Sequence, residues 1–362
     1  MVRDVVVLGA TIAGLTAARR LAADGFAVVV LDPNPERASA AIGHGVAAAA
    51  HASTCANMAG AYGDAAVTEH VRRNLAGLEE IRKVMATAGI APVTTLLEDH
   101  SLGVALAREL DRVCRVLRDA GAEVRVAEGP GGPGLTSRAL LVDPYEYAAA
   151  LHTQACRAGA RVTHDVTVTH IRRFDGHTDI TVRRNMAWER DFEVISAHAV
   201  VDTLGVSPWG SLAGAGQPQY VPTLRIPVVS EKVELHAGPP VWMRRPSGEA
   251  TLLLGPKCTR SQLPSAAEAL ATWAGAEFGV EGEQAGQLVI DPSDHGRPIV
   301  GASAIPGGFY TRGNGRGELM NGTASGCYLA TLLLGVDAAR HVGLPWGSRL
   351  RAVATRKLFR RD

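Results

Sequence analysis

The sequence predicts an α/β fold in which a doubly wound, parallel-sheet domain is interleaved with a second domain built on an antiparallel sheet. Three stretches predict it. "VVVLGATIAGLTAARRLAADGFAVVVLDPNPERAS" (Val5 to Ser39) reads as apolar strand, glycine turn, helix, second apolar strand and acidic end, the order of a nucleotide-binding unit. Residues 218–260 are strand-like, with "LRIPVVSEKVEL" and "ATLLLG" around the turn "RRPSGE", which suggests an antiparallel sheet. The stretch "DPSDHGRPIVGASAIPGGFYTRGNGRGELMNGTASGCYLATLLLG" then gives strand, turn, strand, glycine-rich loop and apolar helix.

In chain order, "DVVVLG" is a continuous buried strand, "AGLTAARRLAADG" has helical periodicity and stops at Gly25, and "FAVVVLD" is a second strand parallel to the first. Ala38 to Asp64 is rich in Ala and Gly with little amphipathic pattern, as suits backbone running close to a ligand or a flexible loop. Two helices, "AAVTEHVRRNLAGLEEIRKVMATAG" and "SLGVALARELDRVCRVLRDAG", precede "GPGGPG" (Gly129 to Gly134), the clearest linker-like break. A helix from about Pro144 to Ala158 follows, with strands ending near Val168 and a buried strand in "HAVVDTLGVSPWG" ending at Gly205. "SAAEALATWAGAEFG" is one further helix, and no internal repeat occurs.

A chain of 362 residues suffices for two domains or one large interwoven unit. With 46% hydrophobic and 20% charged residues and a net charge of +1, it has no strong field to recruit nucleic acid or an anionic membrane. Cys55, Cys114, Cys156, Cys258 and Cys327 are scattered and lack CxxC spacing, so neither a disulfide framework nor a metal site is expected. Met1 is followed almost at once by an apolar strand, and no run approaches the roughly 18 apolar residues of a membrane span; the expected location is cytoplasmic. The tail "RLRAVATRKLFRRD" reads as a solvated, basic helix face.

Gly9 and Gly14 fill the first and third positions of a GxGxxG turn, and the helix starting near Ile12 presents free N–H groups to a phosphate. Thr11 stands where the second glycine belongs. Its β-branched side chain is expected to push the phosphate outward or change the backbone, while its hydroxyl offers a donor to a phosphate oxygen. Asp32, 18 residues after Gly14, is placed to accept from a ribose 2′-OH, which argues against NADP.

With this unit, "LLVDPYEYAAALHTQA", "AVVDTLG" and "HGRPIVG…GNGRGELMNGTASG" together, the chain resembles the D-amino acid oxidase-like FAD oxidoreductases, which include glycine and sarcosine oxidases and D-amino acid dehydrogenases. The resemblance runs from Val5 to about Gly335. It implies an extended FAD whose ADP half lies on a Rossmann-like first unit and whose flavin ring meets an antiparallel substrate domain. It further implies an FAD-binding domain of residues 1–90, 138–210 and 286–345, a substrate domain of 91–137 and 211–285, and a basic tail of 346–362. By position, Gly9, Ala10, Ile12, Ala13 and Gly14 resemble the pyrophosphate turn, Asp32 the ribose acid, and Arg37 with Ser39 the later phosphate and flavin contacts. Val166 resembles the residue whose backbone meets adenine, Gly205 the turn after the third buried strand, and Gly313, Gly315, Arg316 and Gly317 the loop over the flavin's pyrimidine edge. That loop and the following helix would stabilise the negative charge of reduced flavin.

Departures from the family pattern bear on the substrate. An arginine common before the last strand pair is replaced by Val289 or Ile290, Asn314 stands for a histidine, and Glu318 falls where a small residue is common, close to the expected flavin. Amine oxidation by flavin requires positioning above all, with substrate carboxylates held by arginine. Arg245, beside Arg244, and Arg225 are candidates for that anchor, and surface or inter-strand pairing is the other reading of each. Glu318 is placed to orient or deprotonate an amine, or to pair with Arg316 or Arg312. His44 and His51 lie in the Ala/Gly-rich stretch; His44 is a candidate for a covalent flavin link or for an ordinary contact, and Trp242 for lining the pocket. The expected activity is oxidation of a C–N bond in a small amine-bearing substrate. A flavin monooxygenase or hydroxy-acid oxidase, a non-catalytic flavin-fold binding protein and an NAD-only dehydrogenase are the alternatives. No "GD" pair of the aromatic hydroxylases occurs between Gly301 and Gly326.

Overall fold

The computed structural model describes residues 2–40, 43–103, 108–129, 132–184, 192–205, 217–280, 282–303 and 307–335. The apolar start of the chain forms β1 (Arg3–Leu8), then α1 (Ile12–Ala23) and β2 (Val28–Leu31), which pairs parallel to β1 with Val5 opposite Val28 and Leu8 opposite Leu31. Next come β3 (Val46–Ala47), α2 (Ala52–Tyr62), α3 (Asp64–Thr87), β4 (Val93–Asp99), α4 (Leu110–Asp119), β5 (Val124–Ala127) and β6 (Gly134–Leu141). α5 (Pro144–Arg157) starts at Asp143, whose carboxylate accepts from the Tyr145 and Glu146 N–H groups. It leads into β7 (Arg161–Thr163), β8 (Val166–Phe174), β9 (His177–Arg184) and β10 (Phe192–Asp202). β11 (Gln219–Ile226), β12 (Val233–Leu235), β13 (Met243–Ser247), β14 (Ala250–Leu254), α6 (Leu263–Phe278) and β15 (Glu283–Ile290) follow, and the described chain closes with β16 (Ile299–Ala302), β17 (Gly308–Arg312) and α7 (Glu318–Leu334).

The first sheet runs β16-β17-β10-β1-β2-β7, parallel from β17 to β7 with β16 antiparallel at its edge. Its strands are apolar on both faces because both are covered. Val5, Val7, Val28 and Val30 pack under the helices α1, α3, α5 and α7, while Val6, Leu8, Val29 and Leu31 pack under the β8–β9 hairpin. The second sheet runs β15-β11-β14-β13-β12-β4-β6-β3 with β5 beside β6; it is antiparallel except where β12 meets β4. This is the α/β, two-sheet architecture expected from sequence.

Three local expectations are corrected. The Ala/Gly-rich stretch holds a real helix, α2, whose first N–H groups are satisfied from a distance: Ala52 N–H donates to the Asp99 carboxylate at 2.6 Å, so neither a local cap nor an amphipathic face is needed. The helix expected from Ser101 is described only from Leu110, because Asp99 also binds Ser101, and a turn follows through Gly103 at φ +60°. "GPGGPG" is no domain break: it joins neighbouring strands β5 and β6 of one sheet, with Gly129 and Gly134 packed on His100. The basic tail lies outside the described residues.

Candidate functional site

Thr11 makes two hydrogen bonds inside the protein. Its Oγ1 caps α1 by accepting from Gly14 N–H at 3.0 Å and donates to Thr203 Oγ1 at 2.9 Å, and Thr203 donates in turn to the Leu8 and Gly9 carbonyls. The side chain is therefore turned inward and 7% exposed. Its hydroxyl is engaged within the protein rather than held out as a donor, which differs from the expectation from sequence. Close approach is preserved by the two glycines: a Cβ on Gly9, at φ +101°, would lie 2.8 Å from Leu204, and one on Gly14 would lie 2.1 Å from the Gly9 carbonyl oxygen. Ala10, Ile12 and Ala13 complete this tightly buried turn.

Asp32, wholly buried, ends the second strand of this unit. Its Oδ1 accepts from Ser39 Oγ at 2.7 Å and from Asn34 N–H at 3.3 Å, whereas Oδ2 has no hydrogen-bond partner. An orphaned carboxylate oxygen at this point fits a ribose hydroxyl, so the ADP half of FAD suits the residues present. Val166 abuts the same acid, its N–H donating to the Asp32 carbonyl at 3.0 Å. His164 Nδ1 stands 3.6 Å from Oδ2, and its pKa is raised chiefly by Asp32. Arg37, at φ +70°, pairs with its neighbour Glu36 at 3.2 Å on the surface.

Asp291, which sequence reasoning missed, holds the glycine-rich loop before α7. Its carboxylate accepts from Gly313 N–H at 2.5 Å and its carbonyl from Gly315 N–H at 3.0 Å. Gly313 and Gly205 both have positive φ, and a Cβ on either would strike Ser293 or Asp291 respectively. Asn314 is fixed twice, its carbonyl accepting from Asn321 Nδ2 at 2.7 Å and its Oδ1 from Ser325 Oγ at 3.0 Å. Behind the loop, Arg312 donates to the buried Asp202 at 2.8 Å and ties β17 to β10.

A cavity of about 410 Å³ opens against Asn314–Gly317, with His51, His70, His295, Trp242, Lys257 and Arg316 among its walls. None of the lining residues whose side chains are described is a carboxylate. The Arg316 guanidinium lies 3.9 Å over the Trp242 ring, and its Nε and Nη1 have no hydrogen-bond partner. Burial lowers its pKa to about 9. His70 is pushed to about 3 by burial, then by His51, Arg73 and Arg297. His51, with Nδ1 3.9 Å from the Asp99 carboxylate, is lowered by burial, an effect that Asp99 opposes.

His44 is buried beside this cavity, its ring centroid 6.4 Å from that of Trp242. Its Nδ1 accepts from Val46 N–H at 3.1 Å, which fixes the proton on Nε2, and Nε2 has no partner. Burial, then His51, Arg245 and Arg316, hold its pKa well below the ordinary value. The Glu318 carboxyl and Ile12 meet over Gly322, where a Cβ would lie 3.0 Å from Glu318 Oε1 and 3.3 Å from Ile12. Burial and then Asp291 raise the Glu318 pKa to about 8, against a hydrogen bond with Asn314. Burial thus makes it hold its proton more readily than an ordinary glutamate; among the described residues it pairs with neither Arg316 nor Arg312.

The arginine candidates separate. Arg244 pairs with Glu234 on one face of β13. Arg245 is near His44 and Asp143, donates Nη1 to the Pro246 carbonyl at 2.9 Å and leaves Nε without a partner. Arg225 is exposed near the end of β11, beyond the buried Thr223, and does not line the cavity. Ile290, one of the two residues at which the family arginine would fall, is packed in the apolar core of the second sheet. Lys257, His70 and His295 carry no motif by which sequence alone could place them here; the fold gathers them from three elements.

No curated protein matches the chain. Among solved structures, L-proline dehydrogenase from P. horikoshii superposes with a TM-score of 0.72 at 12% identity, covering 95% of both chains. Glycine oxidase from Geobacillus kaustophilus gives 0.71 at 17%, covering 94% of this chain and 99% of that one. Iminodiacetate oxidase from Chelativorans sp. BNC1 gives 0.67 at 19%, covering 95% and 100%. The profile of the DAO family, FAD dependent oxidoreductase, matches residues 4–332. With a glycine turn shaped for a pyrophosphate, an acid shaped for a ribose and that match across the described fold, the chain belongs to the DAO family of FAD-dependent oxidoreductases.

Proposed function

We propose that this protein oxidises a C–N bond of an amine or amino-acid-like substrate, giving an imine that water hydrolyses. The observation that carries the reading is Arg316, a buried guanidinium with free donors facing a cavity beside the 313–317 loop. The turn at Gly9–Gly14 and the free oxygen of Asp32 would hold the ADP half of FAD, and the N-terminus of α7 would face the flavin. Bound there, FAD supplies the acceptor for a hydride leaving the substrate carbon.

The remaining work is positioning and proton handling. Arg316, braced on Trp242, holds a substrate carboxylate in place of the family arginine. His51, neutral because it is buried, takes the proton from the substrate ammonium, and the Asp99 carboxylate behind it steadies the resulting imidazolium. The His44 Nε2–H donates into the same region. We place the protein in the cytoplasm, a reading supported by its five free cysteines. No helix among the described residues is long and apolar enough to cross a membrane.

The test is the visible spectrum of the purified protein before and after acid precipitation, followed by anaerobic addition of amines and amino acids. Flavin bands that pass into the supernatant and bleach with an amine support the reading. Colour retained in the pellet assigns the covalent role to His44, and a protein that neither carries nor takes up FAD refutes the proposal.

A further inference from the structure

We infer that the cavity takes a substrate with two acid groups, one seated on Arg316 and the second reaching Lys257 at the mouth. This rests on the reading that the cavity is the substrate site. Two cations, Arg316 and Lys257, border one cavity, neither forms an ion pair among the described residues, and none of the lining residues whose side chains are described is a carboxylate. Elsewhere three inward-facing cations are neutralised, Arg312 by Asp202, Arg244 by Glu234 and Arg19 by Glu80, whereas Arg245, like the cavity pair, has no ion pair among the described residues. Uncompensated cations sharing one cavity repel each other, and an anion bound between them removes that cost.

The two positions differ in kind. Arg316 is 8% exposed and stacked on Trp242, a fixed fork suited to a planar carboxylate. Lys257 is exposed by surface area, so its desolvation is partial; that desolvation and the charge of Arg316 both lower its pKa. Two acids in the neighbouring segments serve other partners. Asp99 faces Ala52 and Ser101, and Asp291 binds Gly313, so neither neutralises the pair. His51, His70 and His295 add ring nitrogens to the wall.

The experiment compares butyrate with glutarate, followed by perturbation of the flavin spectrum in the holoprotein and by calorimetry on the same protein with and without FAD. Glutarate is expected to bind roughly two- to fivefold more tightly than butyrate, the scale of one partly exposed ion pair. Lys257→Met should remove most of that difference by weakening glutarate more than butyrate, and Arg316→Lys should weaken both ligands. Equal binding of the two acids, no binding of either, or an equal loss of both in Lys257→Met overturns the inference. Amine oxidation without glutarate preference sinks this inference alone. Glutarate preference in a protein that bleaches with no amine sinks the C–N oxidation reading instead.

Discussion

Replacing Thr11 with valine tests whether the residue serves the protein or the ligand. The substitution keeps the branched shape and removes the hydroxyl, so Gly14 N–H loses its acceptor and Thr203 loses a donor while keeping its own bonds to the Leu8 and Gly9 carbonyls. Loss of the cap, which leaves the buried Gly14 N–H unpaired, costs about 1–2 kcal/mol. With a urea slope of about 2–3 kcal/mol/M, the unfolding midpoint of the FAD-free protein should fall by about 0.5 M. FAD affinity, measured by quenching of flavin fluorescence, should change by less than about threefold, because the hydroxyl faces away from the phosphates. A loss of about tenfold or more in FAD affinity with an unmoved urea midpoint would refute the inward placement of Thr11.

Other outcomes follow from the same contacts. Glu318 has its folded pKa raised to about 8, so stability is full below the unfolded value and falls as pH rises towards 8, by at most about 1.4 kcal/mol per pH unit; Glu318→Gln should flatten that fall in pH-dependent denaturation curves. His70 has its folded pKa lowered to about 3, so stability is held above the unfolded value near 6.5 and lost on acidification towards 3; His70→Asn should shallow the acid limb, and an unchanged limb counts against its burial. Arg312→Met leaves the Asp202 carboxylate buried without its ion-pair partner and should cost about 3–5 kcal/mol, whereas the double variant Asp202→Asn, Arg312→Met should recover part of that loss. Gly313→Ala places a Cβ 2.3 Å from Ser293 at φ +71° and should weaken FAD uptake through the displaced loop, with circular dichroism reporting whether the fold survives.

The nucleotide end of the fold was legible because it is local: Gly9, Gly14 and Asp32 act through backbone geometry and spacing along one β-α-β unit. Thr11 misled for the same reason, since its partner Thr203 is 192 residues away and no spacing rule connects them. α2 escaped notice because Asp99, not a neighbouring residue, satisfies its N-terminus. At the cavity, Arg316 was legible by position in the glycine loop, but its partner ring comes from the segment before β13 and the other cation from the segment after β14. Charge balance between such walls is a property of tertiary structure. Arg225 shows the converse: its type suited an anchor, yet strand alternation and its place near the end of β11 leave it in solvent.

The chain passes between its two sheets four times, after β2, β6, β10 and β15. Neither sheet is therefore a contiguous piece that can be excised, shuffled or expressed alone. A single nick after β6 or β10 would leave both fragments holding strands of both sheets, so a protein cleaved there should stay associated until denatured. For the same reason, new specificity in such an architecture is acquired by altering segments in place, such as those carrying Trp242 and Lys257, rather than by exchanging a whole module.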